Sequence, residues 1–152
     1  MTLDRPDITS RADIVRLVDT FYAAVRADEI LAPIFDGVAH VDWERHLPRM
    51  YDFWEGVLFG ATAFRGNPLA VHLGLATRVT MGAREFGRWI ALFHSSVDAL
   101  FSGPMADEAR ARASRIAAVM QYHIATRRLV VPVRGSRRVA TASKSVRQRW
   151  EK

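Results

Sequence analysis

The chain has 152 residues, 49% of them hydrophobic and 25% charged, and no cysteine, which is enough for one domain that buries roughly 70% of its unfolded surface. The missing cysteines exclude a disulfide framework, a CxxC redox pair and an iron–sulfur cluster, so any bound metal is held by His, carboxylate or Met. The formal charge of +6 does not describe the domain: residues 127–152 hold nine Lys/Arg and one Glu, which leaves 13 basic and 15 acidic residues in 1–126.

The first ten residues contain no apolar leader core, and no run approaches the ~20 apolar residues of a membrane span, so the expected location is cytoplasmic. Thr9 or Ser10 is placed to cap a helix, with Asp13 three residues after Ser10 in a capping-box position. Ile14, Leu17, Val18, Phe21, Tyr22 and Val25 then recur at helical spacing up to about Ala27. The segment 30–37 is short and interrupted by Pro33, which predicts a single turn directing Phe35 inward. A helix is predicted over 42–60, with His46, Met50, Phe53 and Trp54 on one face. Pro48 should bend or restart this helix, or move its start later than Asp42.

Residues 62–66 read as a turn. Asn67 and Pro68 then open a short helix that carries His72, and Gly74, Thr80 and Gly82 mark an irregular connection. A long amphipathic helix over 84–102 places Phe86, Trp89, Ile90, Phe93, Val97, Leu100 and Phe101 inside and stops at Gly103. Pro104 starts the last helix, which presents Met105, Ala109, Ala113, Ile116, Met120 and Ile124 and runs out at Arg127 and Arg128. No segment alternates with period two, so the fold class is all-α. The expected organisation is one domain over 1–128 and a basic, flexible tail over 129–152, where too few apolar residues remain to build a core.

Tyr22, His46 and Trp89 are polar-tipped residues, each on the apolar stripe of a different predicted helix. Burying three such tips without partners would cost roughly 1–3 kcal/mol apiece, which points to a polar group that they meet. His72 sits on an otherwise apolar small helix, and with His46 on the preceding long helix it can place a second imidazole across a flat ligand such as haem. His40, His94 and His123 read as surface or packing histidines, and Phe53, Trp54, Phe86 and Phe93 as core by default. There is no HExxH, no carboxylate-plus-ExxH pairing, no GxGxxG, no Walker A and no GxSxG, which removes support for zinc, di-iron, dinucleotide and serine-hydrolase chemistry.

These residues, over about 10–128, resemble group III (P) of the truncated haemoglobins. The landmarks are Phe21-Tyr22, Pro33-Ile34-Phe35, Trp43-x-x-His46-Leu-x-x-Met50-x-x-Phe53-Trp54, Gly66-x-Pro68-x-x-x-His72-x-x-Leu75 and Phe86-x-x-Trp89. The resemblance implies a two-over-two helical sandwich around non-covalent haem b. It implies His72 as proximal iron ligand, Tyr22, His46 and Trp89 as distal ligand-stabilising residues, and Phe35, Met50, Phe53 and Trp54 lining the haem pocket. Arg49 and Arg78 are candidates for the haem propionates. The basic tail departs from the family pattern.

The expected ligands are O2, NO, CO or peroxide. Two distal donors make release slow, which favours redox chemistry or ligand scavenging, such as NO dioxygenase or peroxidase-like activity fed by an unidentified reductase, over bulk O2 transport. His46 is read as a gate, with direct iron ligation as its alternative. The competing reading from another class is a helical binding module whose basic tail contacts nucleic acid, an anionic membrane or an acidic partner.

Overall fold

The computed structural model describes residues 4–61 and 81–129, so His72, Arg78, the short helix expected around them and the tail from residue 130 lie outside the described residues. The described residues form four long helices and no strand: α1 (Arg11–Arg26), α2 (Trp43–Phe59), α3 (Ala83–Leu100) and α4 (Pro104–Leu129). None is long and apolar enough to cross a membrane. Helix α1 packs on α2 and α3, α3 packs on α4, and α2 touches α4 more lightly.

Helix α1 begins as its sequence dictates. The Ser10 hydroxyl accepts the Asp13 N–H at 3.4 Å, which satisfies one of the first turn's orphan donors, and the Asp13 carboxylate reaches back to accept the Thr9 N–H, just ahead of the cap, at 2.9 Å. All six residues of the predicted stripe are buried. The corner after α1 is a π-helical turn, Pro33–Val38, rather than the single turn expected, closed by the Ala39 N–H on the Ile34 carbonyl at 2.8 Å. Phe35 does point inward and is buried.

Pro48 does not delay α2. The helix starts at Trp43 and runs through the proline to Phe59, because Pro48 lies on the exposed side with Glu44, whose carbonyl is the one left without an N–H partner. Gly60, at φ 74°, ends the helix in the left-handed region that favours glycine. His46, Met50 and Trp54 are its buried residues, and Phe53 is half-buried.

Helix α4 lays a stripe of Ala106, Ala109, Ala113 and Ala117 against the core, each at most 1% exposed. Small residues let α3 approach closely, and the space is filled from the other side by Phe93, Val97 and Phe101. The α4 N-terminus is capped from the far end of the chain. The Asp7 carboxylate accepts the N–H groups of Met105 at 3.0 Å and Ala106 at 2.8 Å. Gly103 makes this possible, because a Cβ there would lie 2.6 Å from Asp7 Cγ, and its φ of 138° already excludes most side chains.

Candidate functional site

The structure brings Tyr22 and His46 together. Tyr22, from α1, is 6% exposed, and its ring meets the His46 imidazole edge-on at 5.1 Å. His46, from α2, is itself 8% exposed. Burial pushes the Tyr22 hydroxyl well above the ordinary tyrosine value, so it stays a proton donor at every physiological pH. Among the described residues that hydroxyl has no hydrogen-bond acceptor, and neither has the Trp89 indole N–H.

Trp89 stands one ring away from this pair. Phe21 makes edge contacts with Tyr22 at 4.8 Å and with Trp89 at 5.4 Å. Trp89 stacks on Phe93 at 5.8 Å, and Phe93 stacks on Trp54 at 4.7 Å. Trp54 therefore belongs to the aromatic stack of the core, with Phe53 edge-on to it at 5.5 Å. Met50 is buried and Arg49 half-buried on α2.

A small apolar cleft, about 20 Å³ in volume and partly open to solvent, is lined by Leu31, Ile34 and Phe35 from the corner, Met81, Glu85, Phe86 and Trp89 from the start of α3, and Ala117 from α4. Of the residues expected to line a pocket, Phe35 lies in this one with Trp89. Tyr22 and His46 do not line it, and Tyr22 adjoins it through Phe35 at 6.3 Å. Leu31, Ile34, Met81 and Ala117 were not legible as pocket residues, since apolar periodicity marks burial and not which buried face stays open.

An ion pair with one buried partner ties the two walls of this cleft. Asp28, 7% exposed, follows α1; its carboxylate accepts Arg88 Nε at 2.6 Å and the N–H groups of Leu31 at 3.0 Å and Ile30 at 3.1 Å. Burial raises this carboxyl, but the Arg88 guanidinium and the two N–H groups outweigh it and hold it below the ordinary carboxylate value. Nothing in the local sequence marks the pair, because its partners are 60 positions apart.

Trp43 was visible only as a landmark. Its ring lies 5.4 Å from Tyr22, 5.6 Å from His46 and, stacked, 6.1 Å from Phe35. Its indole N–H donates to Asp36 at 2.8 Å, and the Arg26 guanidinium lies 4.9 Å above its face. His94 is a packing histidine, as expected. Its Nε2 sits 3.2 Å from the Arg110 carbonyl oxygen and 3.1 Å from the Ser114 hydroxyl.

Aromatic rings and aliphatic side chains rim the cleft, and the polar tips of Tyr22, His46 and Trp89 stand beside it, a lining whose chemistry suits a flat, largely apolar macrocycle carrying a small polar ligand. The family model for bacterial-like globins matches residues 7–123. The chain is 31% identical over 115 residues to the group 3 truncated hemoglobin ctb of Campylobacter jejuni, covering 74% of this chain and 88% of that protein. The crystal structure of group III truncated hemoglobin from Campylobacter jejuni superposes with a TM-score of 0.70 at 29% identity, covering 79% of this chain and 94% of that one. The chain belongs to the bacterial-like globin family, in its group III truncated haemoglobin branch. Membership brings haem and the binding of small diatomic ligands.

Proposed function

We propose that this globin carries haem b non-covalently, with His72 as the axial ligand, and uses it for redox chemistry or ligand scavenging, such as NO oxidation or peroxide reduction, rather than O2 delivery. The absence of cysteine supports non-covalent attachment. When bound, the haem supplies a redox-active iron with one position open to O2, NO or CO. The chain supplies the surroundings. Phe35, Phe86 and Trp89 offer aromatic wall to the macrocycle, and Arg49 and Arg78 offer cations to its propionates.

The observation that carries the reading is Tyr22, a buried residue whose hydroxyl keeps its proton and has no acceptor among the described residues. Such a donor is available to an acceptor that a ligand brings in. A ligand that gathers negative charge is such an acceptor, and the Trp89 indole N–H is a second donor available to it. Each charge-assisted bond is worth roughly 1.5–3 kcal/mol, about one to two decades in release rate. A ligand held by both, by Trp89 from the cleft's lining and by Tyr22 from beside it, stays too long for transport. His46, buried beside Tyr22 and next to the cleft rather than in its lining, serves as the gate to solvent. A separate reductase returns the iron to its ferrous state.

Tyr22→Phe and Trp89→Phe are each expected to speed O2 release, measured by stopped-flow displacement with CO, by roughly ten- to a hundredfold. Unchanged release in both variants refutes the donor assignment. In the same preparation His72→Gly should lose the histidine-ligated ferrous–CO spectrum and regain it with free imidazole. Retention of that spectrum without imidazole removes His72 as the axial ligand.

A further inference from the structure

Arg26 and Asp36 form an ion pair at 3.9 Å, with side chains 53% and 43% exposed, and such a pair by itself contributes little to stability. What distinguishes it is that both members also engage one indole. Asp36 Oδ1 accepts the Trp43 Nε1–H at 2.8 Å, which fixes the ring's edge. The Arg26 guanidinium lies 4.9 Å over its face, a cation–π contact that fixes its plane. The two come from different elements, the last residue of α1 and the π-helical turn, while Trp43 is the first residue of α2. The indole is thereby anchored from two elements while its other contacts face the site.

Those contacts are with the residues at the gate. Trp43 meets His46 at 5.6 Å and 84°, Tyr22 meets the same imidazole at 5.1 Å and 84°, and Trp43 stacks on Phe35 at 6.1 Å. His46 lies three residues after Trp43, so the two side chains share a helix face. An imidazole that swings away from Tyr22 must also part from the anchored indole. We infer that Trp43 is a positioning residue that holds His46 inward, and that Arg26 and Asp36 are its latch, so that gate opening is set at the protein surface. This rests on His46 being the gate of the proposed haem pocket.

The test uses the full chain in two arms. NMR before hemin is added reads the His46 ring protons, whose resonances are displaced by the neighbouring aromatic rings. Flash photolysis of the ferrous–CO form, after hemin is added, reads how fast CO re-enters from solvent. Trp43→Leu is expected to move the His46 resonances toward those of a solvent-exposed histidine and to speed CO entry. Asp36→Asn and Arg26→Gln, which act on the indole from the surface and leave the core intact, are expected to do the same with a roughly two- to fivefold change in rate, the factor that an exposed cation–π contact is worth. In a His46→Ala background all three accelerations should vanish. His46 resonances unmoved by Trp43→Leu overturn the inference. So does an acceleration that survives His46→Ala, because the indole would then obstruct the path directly. If the wild type takes up no hemin, the haem reading fails, and the NMR arm still decides whether Trp43 holds His46.

Discussion

The two sides of the molecule bury aromatic rings for different ends. On the α3–α4 side Phe93, Val97, Phe101, Ala109 and Ala113 are at most 1% exposed, carry no polar tip and close against one another. On the α2 side Tyr22, Trp43 and His46 are packed edge to edge with polar atoms among them, and α2 carries a proline in its interior and an exposed Phe59. The first arrangement stabilises the fold. The second mixes polar tips into an aromatic cluster and is better suited to receive a ligand, which is how functional sites depart from the local rules that the rest of a chain obeys.

The contrast is most easily broken from the dry side. Phe93→Ala removes a ring stacked between Trp54 and Trp89 and is expected to lower unfolding stability by roughly 3–5 kcal/mol in denaturant titration. A loss under about 1 kcal/mol would mean that the α3 core is loosely packed.

Asp28 joins the two sides, and its neutral variant should come next. Asp28→Asn weakens the bond to Arg88 and the acceptors for Leu31 and Ile30, with an expected loss of roughly 2–4 kcal/mol at pH 7, below the cost of a fully buried pair because Arg88 is half-exposed. The sign with pH follows from the direction of its shift. The folded Asp28 carboxyl lies below the ordinary 3.8, so its contribution is complete above the unfolded value and is lost as pH falls through the folded one. Wild type and Asp28→Asn should therefore differ by a constant amount above about pH 5 and converge in acid. Parallel curves down to acid pH would remove the carboxylate's charge from the explanation.

The smallest expected change in stability sharpens the comparison most. Tyr22→Phe deletes a hydroxyl that has no acceptor among the described residues, so stability without haem should move by no more than about 1 kcal/mol while ligand release changes greatly. A loss of about 2 kcal/mol or more in the haem-free chain would give that hydroxyl a structural role and place Tyr22 with the dry core.

How far each feature could be read from the residues follows its distance along the chain. The Ser10 cap and the stripe from Ile14 to Val25 depend on groups a few positions apart and stand as expected, while α3 stops at Leu100, earlier than the expected halt at Gly103. The effect of Pro48 was overestimated, because the cost of a missing N–H depends on whether the stranded carbonyl meets water or protein, and only the packed helix decides that. Tyr22, His46 and Trp89 were recognisable as polar tips on apolar stripes. That Tyr22 and His46 touch, while Trp89 reaches them through Phe21, was not.

The sequence by itself determined the four long helices, the apolar face of α1 above all, and the set of residues able to do chemistry, since 3.6-residue periodicity, caps and side-chain type are local properties. Tertiary structure decided which of those residues meet. The Asp7 cap on α4 spans 98 positions, the Asp28 to Arg88 pair spans 60, and the latch that joins Arg26, Asp36 and Trp43 gathers three elements onto one ring. No local pattern encodes such contacts. They form only when burial of the stripes has already brought the helices together, and their geometry then depends on how those helices pack.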